Sequence, residues 1–94
     1  MFNPQSRWDR PTPKAKKDLH QAIEVAALFS PGKIKPLYLT LNKQRYEIER
    51  INYFWKDYRG ALEKLYCFSV TSGANIFNIY FSNHSLSWRL AKIE

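Results

Sequence analysis

Three side chains in this 94-residue chain have the chemistry of a metal ligand or a nucleophile: His20, Cys67 and His84. They are scattered along the chain and lack the short spacings from which a zinc site is built, so neither a metal site nor a cofactor is expected. Cys67 stands between Tyr66 and Phe68 in a stretch that reads as a strand, where a small packed residue is the simpler role. His84 lies in an Asn-His turn, so a Cys67–His84 nucleophilic pair is not favoured. Glu47 and Glu49 are two apart, a spacing that suits paired carboxylates on one strand face. Arg45 and Lys35 nearby make an ordinary solvated face the better reading. The three glycines, at 32, 60 and 73, are too dispersed for a phosphate-cradling loop.

Basic and aromatic residues say more. Fifteen Lys and Arg against eight Asp and Glu leave a net +7, a balance that favours anionic partners. Arg7, Arg10, Lys14, Lys16 and Lys17 stand against Asp9 alone in residues 1–17, so more than half the excess lies in a segment punctuated by Pro4, Pro11 and Pro13. This segment reads as a flexible basic arm, a tether to phosphates and not a reader of bases. Its Trp8 either folds back onto the domain or stays free. Further along, Trp55-Lys56-Asp57-Tyr58-Arg59-Gly60 reads as a loop interleaving aromatic and basic groups, the pattern of sequence-tolerant single-strand binders. Trp55 is better read as a plug of the core where a strand ends. For Lys56, Tyr58 and Arg59, a contact role and plain solvation are equally open.

The elements that must position these residues follow from hydrophobic period. A helix is expected from Asp18 to Phe29, capped by Asp18 with Gln21 three residues on. Leu19, Ala22, Ile23, Val25, Ala26 and Phe29 form its apolar face, and Ser30-Pro31-Gly32 stops it. A start at Thr12 with Pro13 in the first turn is the alternative, at the cost of setting Lys14, Lys16 and Lys17 against the helix dipole. From Ile34 the period becomes two. Asn42-Lys43 as a two-residue turn sets Leu39 opposite Tyr46 and Leu37 opposite Ile48. Gly73-Ala74 as a second turn pairs Val70 with Phe77, Phe68 with Ile79 and Tyr66 with Phe81. Asn83-His84 as a third pairs Phe81 with Leu86, Ile79 with Trp88 and Phe77 with Leu90. Ile51, Tyr53 and Trp55 have the opposite parity to Tyr46 and Ile48, so a bulge near Glu49-Arg50 is expected to return all of them to the core. The outer face of the last hairpin would carry Asn78, Tyr80, Ser87 and Arg89, mostly neutral and polar, either a contact surface or the wet side of the sheet. The fold class expected is α+β: one domain over residues 18–94, with an N-terminal helix and a curved five-stranded antiparallel meander, a partial barrel.

The order Tyr46-x-Ile48-x-x-Ile51, Trp55, Tyr66-x-Phe68-x-Val70, Phe77-x-Ile79 and Trp88-x-Leu90 resembles a family of small uncharacterised bacterial domains. That family shows a Tyr-x-Val-x-x-Val strand, a Trp soon after, and a closing Trp-x-Leu strand. The resemblance spans residues 37 to 93. Some members are linked to DNA-repair polymerases, which implies DNA transactions. The functional expectation is a non-enzymatic binding module engaging nucleic acid or a nucleoprotein assembly through Arg7, Arg10, Lys14, Lys16, Lys17, Lys56, Tyr58 and Arg59. A protein–protein or self-associating adaptor using a neutral sheet face or an edge strand comes second, and an enzyme third. One cysteine, no signal-peptide core and no apolar run near the roughly 20 residues of a membrane span point to the cytoplasm and away from a membrane partner.

Overall fold

A computed structural model describes residues 20–94; residues 1–19, with the basic arm, Trp8, Asp18 and Leu19, lie outside the described residues. Seven antiparallel strands make one sheet: β1 (Gln21–Ser30), β2 (Lys33–Leu41), β3 (Gln44–Glu47), β4 (Arg50–Arg59), β5 (Glu63–Ser72), β6 (Asn75–Ser82) and β7 (Ser87–Ile93). Their order across the sheet is β3-β2-β1-β7-β6-β5-β4, and the sheet curls into a half-barrel. Among the described residues there is no helix, so none is long and apolar enough to cross a membrane.

The α+β expectation is therefore wrong: the described residues are all-β, and the segment expected as a helix is β1. Ile23, Val25 and Ala27 lie on both a helical stripe and a period-two row, and the structure uses the second, packing them against the core. Tertiary context decides the matter, because β1 pairs with β2 on one side and β7 on the other. Without it, both neighbours would be open edges. Pro31-Gly32, read as a helix stop, is instead a tight hairpin turn closed by the Ser30–Lys33 pair, with Gly32 at φ 76°. Pro36 is buried on β2 where the ladder skips a residue, opposite Ala27. A residue without an N–H fits at such a bulge.

The first two expected registers hold. Leu39 faces Tyr46 across Asn42-Lys43, both turn residues having positive φ, and the Ile48 amide donates to the Leu37 carbonyl at 3.0 Å. Val70–Phe77, Phe68–Ile79 and Tyr66–Phe81 pair across Gly73-Ala74. The third register slips by two. Its turn spans four residues, Asn83 to Leu86, so that Phe81 meets Trp88 and Ile79 meets Leu90. Slippage by two preserves the face, so Trp88 and Leu90 still enter the core, while Leu86 (73% exposed) leaves it. Leu39, Leu41, Phe68, Val70, Phe77, Ile79, Trp88 and Leu90 form the concave core. Burial of each such side chain contributes about 1.5–3 kcal/mol.

The sheet bends where β3 becomes β4. The consecutive residues Ile48 and Glu49 donate their amides to opposite ends of the sheet, Ile48 to Leu37 and Glu49 to Thr71 at 2.8 Å. The half-barrel is thus pinched shut at this bend and opens away from it. A second irregularity follows between Ile51 and Tyr53. Asn52 is the extra residue, donating to Thr71 Oγ1 at 2.9 Å and accepting from Arg50 Nε at 3.1 Å. This bulge reverses the parity of everything beyond it. Ile51 packs on the core as expected, but Tyr53 and Trp55 turn to the outer face and Phe54 takes the inner one.

Candidate aromatic and basic groove

Sequence reasoning placed Trp55 to Gly60 in a loop, whereas Trp55 to Arg59 lie in β4. The strand divides the proposed contact residues between two faces. Lys56 and Tyr58 pair with Tyr66 and Lys64 on the inner face, and Arg59 pairs with Glu63 on the outer. The Arg59 guanidinium carbon lies 5.8 Å from the centre of the Tyr80 ring. Trp55 does not plug the main core; it packs on a second buried cluster of Leu65, Cys67, Tyr80 and Ala91 on the outer face. Tyr80 and Asn78 are buried there too, so at these positions the last hairpin's outer side is not a wet surface. Tyr80 shares a 2.9 Å hydrogen bond with His20 Nδ1, and Arg89 Nη1 donates to the His20 carbonyl at 2.8 Å.

The residues first considered for catalysis take structural roles. Cys67 is fully buried in β5. His84 sits in the exposed β6–β7 turn, its amide donating to Ser82 Oγ at 3.1 Å. Glu47 pairs with Arg45 at 3.0 Å, and Glu49 accepts from the Gly73 amide at 3.1 Å, so the two carboxylates have separate partners. No group of three or more His, Cys, Asp or Glu among the described residues could hold a metal ion.

Where the half-barrel gapes, β2 and β4 diverge and leave a groove of about 600 Å³. One lip is the β1–β2 hairpin, with Phe29, Lys33 and Ile34; the other is β4, with Ile51, Phe54 and Lys56. Tyr66, Phe68 and Phe81 form the floor. The rings run as an arc: Phe29 meets Phe81 (centroids 5.4 Å apart), Phe81 meets Trp88 (5.2 Å), Trp88 meets Phe68 (5.8 Å) and Phe68 meets Phe54 (5.0 Å). Of the inner members Phe68 and Trp88 are buried and Phe81 half-buried, whereas the end members, Phe29 and Phe54, are 58% and 49% exposed. Phe29 is held by an edge contact with half-buried Phe81 and Phe54 by a tilted contact with buried Phe68, both favourable aromatic geometries.

Basic groups stand on this face. Lys33 and Lys56 line opposite lips, and no carboxylate is among the described lining residues. Lys64 lies beside them, its ammonium 5.8 Å from the Tyr58 ring centre and 5.9 Å from that of Tyr66. Lys56 Nζ is 5.9 Å from the same Tyr66 ring. Asn83 fixes the backbone at Lys64 from both sides, accepting from its amide at 2.8 Å and donating to its carbonyl at 3.1 Å.

Of the residues chosen from sequence, the structure brings only Lys56 and Tyr58 to this face, while Arg7, Arg10, Lys14, Lys16 and Lys17 lie outside the described residues. Sequence reasoning missed Phe29, Lys33, Phe54 and Lys64. Phe29 was assigned to a helix, and Lys33 fell between the expected helix stop at Ser30-Pro31-Gly32 and the first expected strand. Phe54 was hidden because the bulge was expected near Glu49-Arg50 and falls instead at Asn52, beyond Ile51, which reverses the face of each residue after it. No family model, curated protein or solved structure matches this chain.

Proposed function

We propose that the chain is a non-enzymatic nucleic-acid-binding module whose site is the groove between β2 and β4. The observation that carries this reading is an arc of rings, open at both ends, with lysines on both lips and no carboxylate among the described lining residues. Rings offer stacking surfaces to bases, and lysines offer charge to phosphates. Lys33, Lys56 and Lys64 supply that charge at the groove, and Arg7, Arg10, Lys14, Lys16 and Lys17 add five more positive charges on the same chain. The chain's one cysteine, Cys67, is held in the interior with its thiol donating to the Leu65 carbonyl at 3.8 Å, which is compatible with work in a reducing compartment.

Fluorescence anisotropy of a labelled oligonucleotide across a salt series tests the reading. Each phosphate neutralised on a single strand contributes about −0.7 to the slope of log K against log salt. Lys56→Ala and Lys64→Ala should each weaken binding and flatten that slope by about 0.7. Absence of binding at low salt, or affinity indifferent to salt, overturns the proposal.

A second reading rests on the same opening. Among the described residues β4 has a strand partner only on its β5 side, and Lys33 to Pro36 of β2 pair only with β1. An extended protein segment could add to these open edges as a strand. Sedimentation that rises with protein concentration in the absence of nucleic acid, with no oligonucleotide binding, would favour it.

A further inference from the structure

We infer that the groove takes an unpaired strand and not a duplex, with unstacked bases laid on Phe29 and Phe54; this rests on the nucleic-acid reading above. The inference comes from where rings and charges sit relative to one another. Phe29 and Phe54 are the exposed ends of an arc whose middle, Phe81, Trp88 and Phe68, is the floor and core of the half-barrel. A ring in that position can meet only a base that offers its flat face. In a duplex those faces are covered by neighbouring bases, and only phosphates, sugars and base edges can be reached from outside. A duplex could touch Lys33, Lys56 and Lys64 but would leave the rings unused. A single strand satisfies both sets, since its bases turn inward while its phosphates follow the lips.

The lips add a second argument. Both are edges of the sheet among the described residues: no described strand pairs with β4 on the side away from β5, or with Lys33 to Pro36 on the side away from β1. An unpaired base exposes the donors and acceptors that base pairing would occupy. Every base has a flat face to lay on Phe29 or Phe54, so the groove should tolerate any base. Lys64 is well placed to follow the strand out of the groove, because Asn83 clamps its backbone while Tyr58 and Tyr66 flank its ammonium.

The test compares a labelled oligothymidine with a hairpin duplex of equal phosphate count, using the full chain at fixed salt. Binding at least about tenfold tighter to the single strand is expected. Equal affinity for both overturns this inference while leaving the nucleic-acid reading standing; binding to neither overturns both. Phe29→Leu and Phe54→Leu keep apolar bulk but remove the flat face, so circular dichroism should show the fold unchanged. Each should weaken single-strand binding about 5- to 150-fold and leave duplex binding as it was. An oligonucleotide carrying 2-aminopurine gives a direct reading of stacking. Its emission should change on binding the natural chain and stay constant with the doubly substituted one. Constant emission with the natural chain would show that no base meets a ring.

Discussion

Asn52 determines which aromatic side chains the groove receives. As the extra residue of the β4 bulge, it lets Ile51 and Phe54 share the inner face although they are three apart. Its carboxamide holds the bulge by bridging Arg50 Nε and Thr71 Oγ1. Asn52→Ala removes both bonds but leaves the backbone free to keep its path. A loss of about 1 kcal/mol is expected, a fall in melting temperature of roughly 4–8 °C for a chain of this size. Deleting Asn52 is a different experiment. It would join Ile51 directly to Tyr53 as a regular strand, keeping Phe54 inward and Tyr53 and Trp55 outward as the ladder already has them, while removing the local kink and both Asn52 bonds. Urea denaturation should show a cooperative transition for both variants. A deletion variant that no longer unfolds cooperatively would show that the kink itself, and not only the register beyond it, is needed by the fold.

Among the elements, those defined by turns were legible and those defined by partners were not. Asn42-Lys43 and Gly73-Ala74 each set a register that the apolar residues on both sides support, and both registers hold. The β6–β7 turn was misread as two residues because parity alone does not distinguish two from four. β1 was misread as a helix because Gln21-Ala22-Ile23-Glu24-Val25-Ala26-Ala27-Leu28-Phe29 suits either period, and its two alanine-rich turns have high helix propensity. What overrides that propensity is the place waiting between β2 and β7. Removed from that place, the segment should return to its local preference. A peptide of residues 20–30 is expected to show helical circular dichroism in trifluoroethanol, and no strand signal in water. A peptide that stays unstructured or turns β-like in the alcohol would mean that the strand is locally encoded after all. The candidate site was legible only through Lys56 and Tyr58, because a groove formed by strands far apart in sequence depends on how the sheet closes.

At the scale of the whole molecule, the half-barrel leaves two strand edges without a partner among the described residues, and such edges invite other chains to pair. The third exposed edge, at β3, is protected by its length of only four residues. β2 carries Lys33, Lys35 and the buried Pro36 along its open stretch, and β4 carries Lys56, Asp57 and Arg59. Charges at these positions oppose stacking one edge against another, so the same lysines that would meet phosphates also keep copies of the chain apart. The two roles separate experimentally. Replacing Lys33, Lys35 and Lys56 together with Thr keeps residues suited to strands while removing three charges from the two lips. The triple variant should sediment as larger species than the natural chain as concentration rises, while its circular dichroism at low concentration stays β-rich. Ring-to-leucine variants, which leave the charges in place, should not associate in this way. If the triple variant matches the natural chain at every concentration, the edges are protected by the curl of the sheet alone, and the lysines are left with the ligand as their one task.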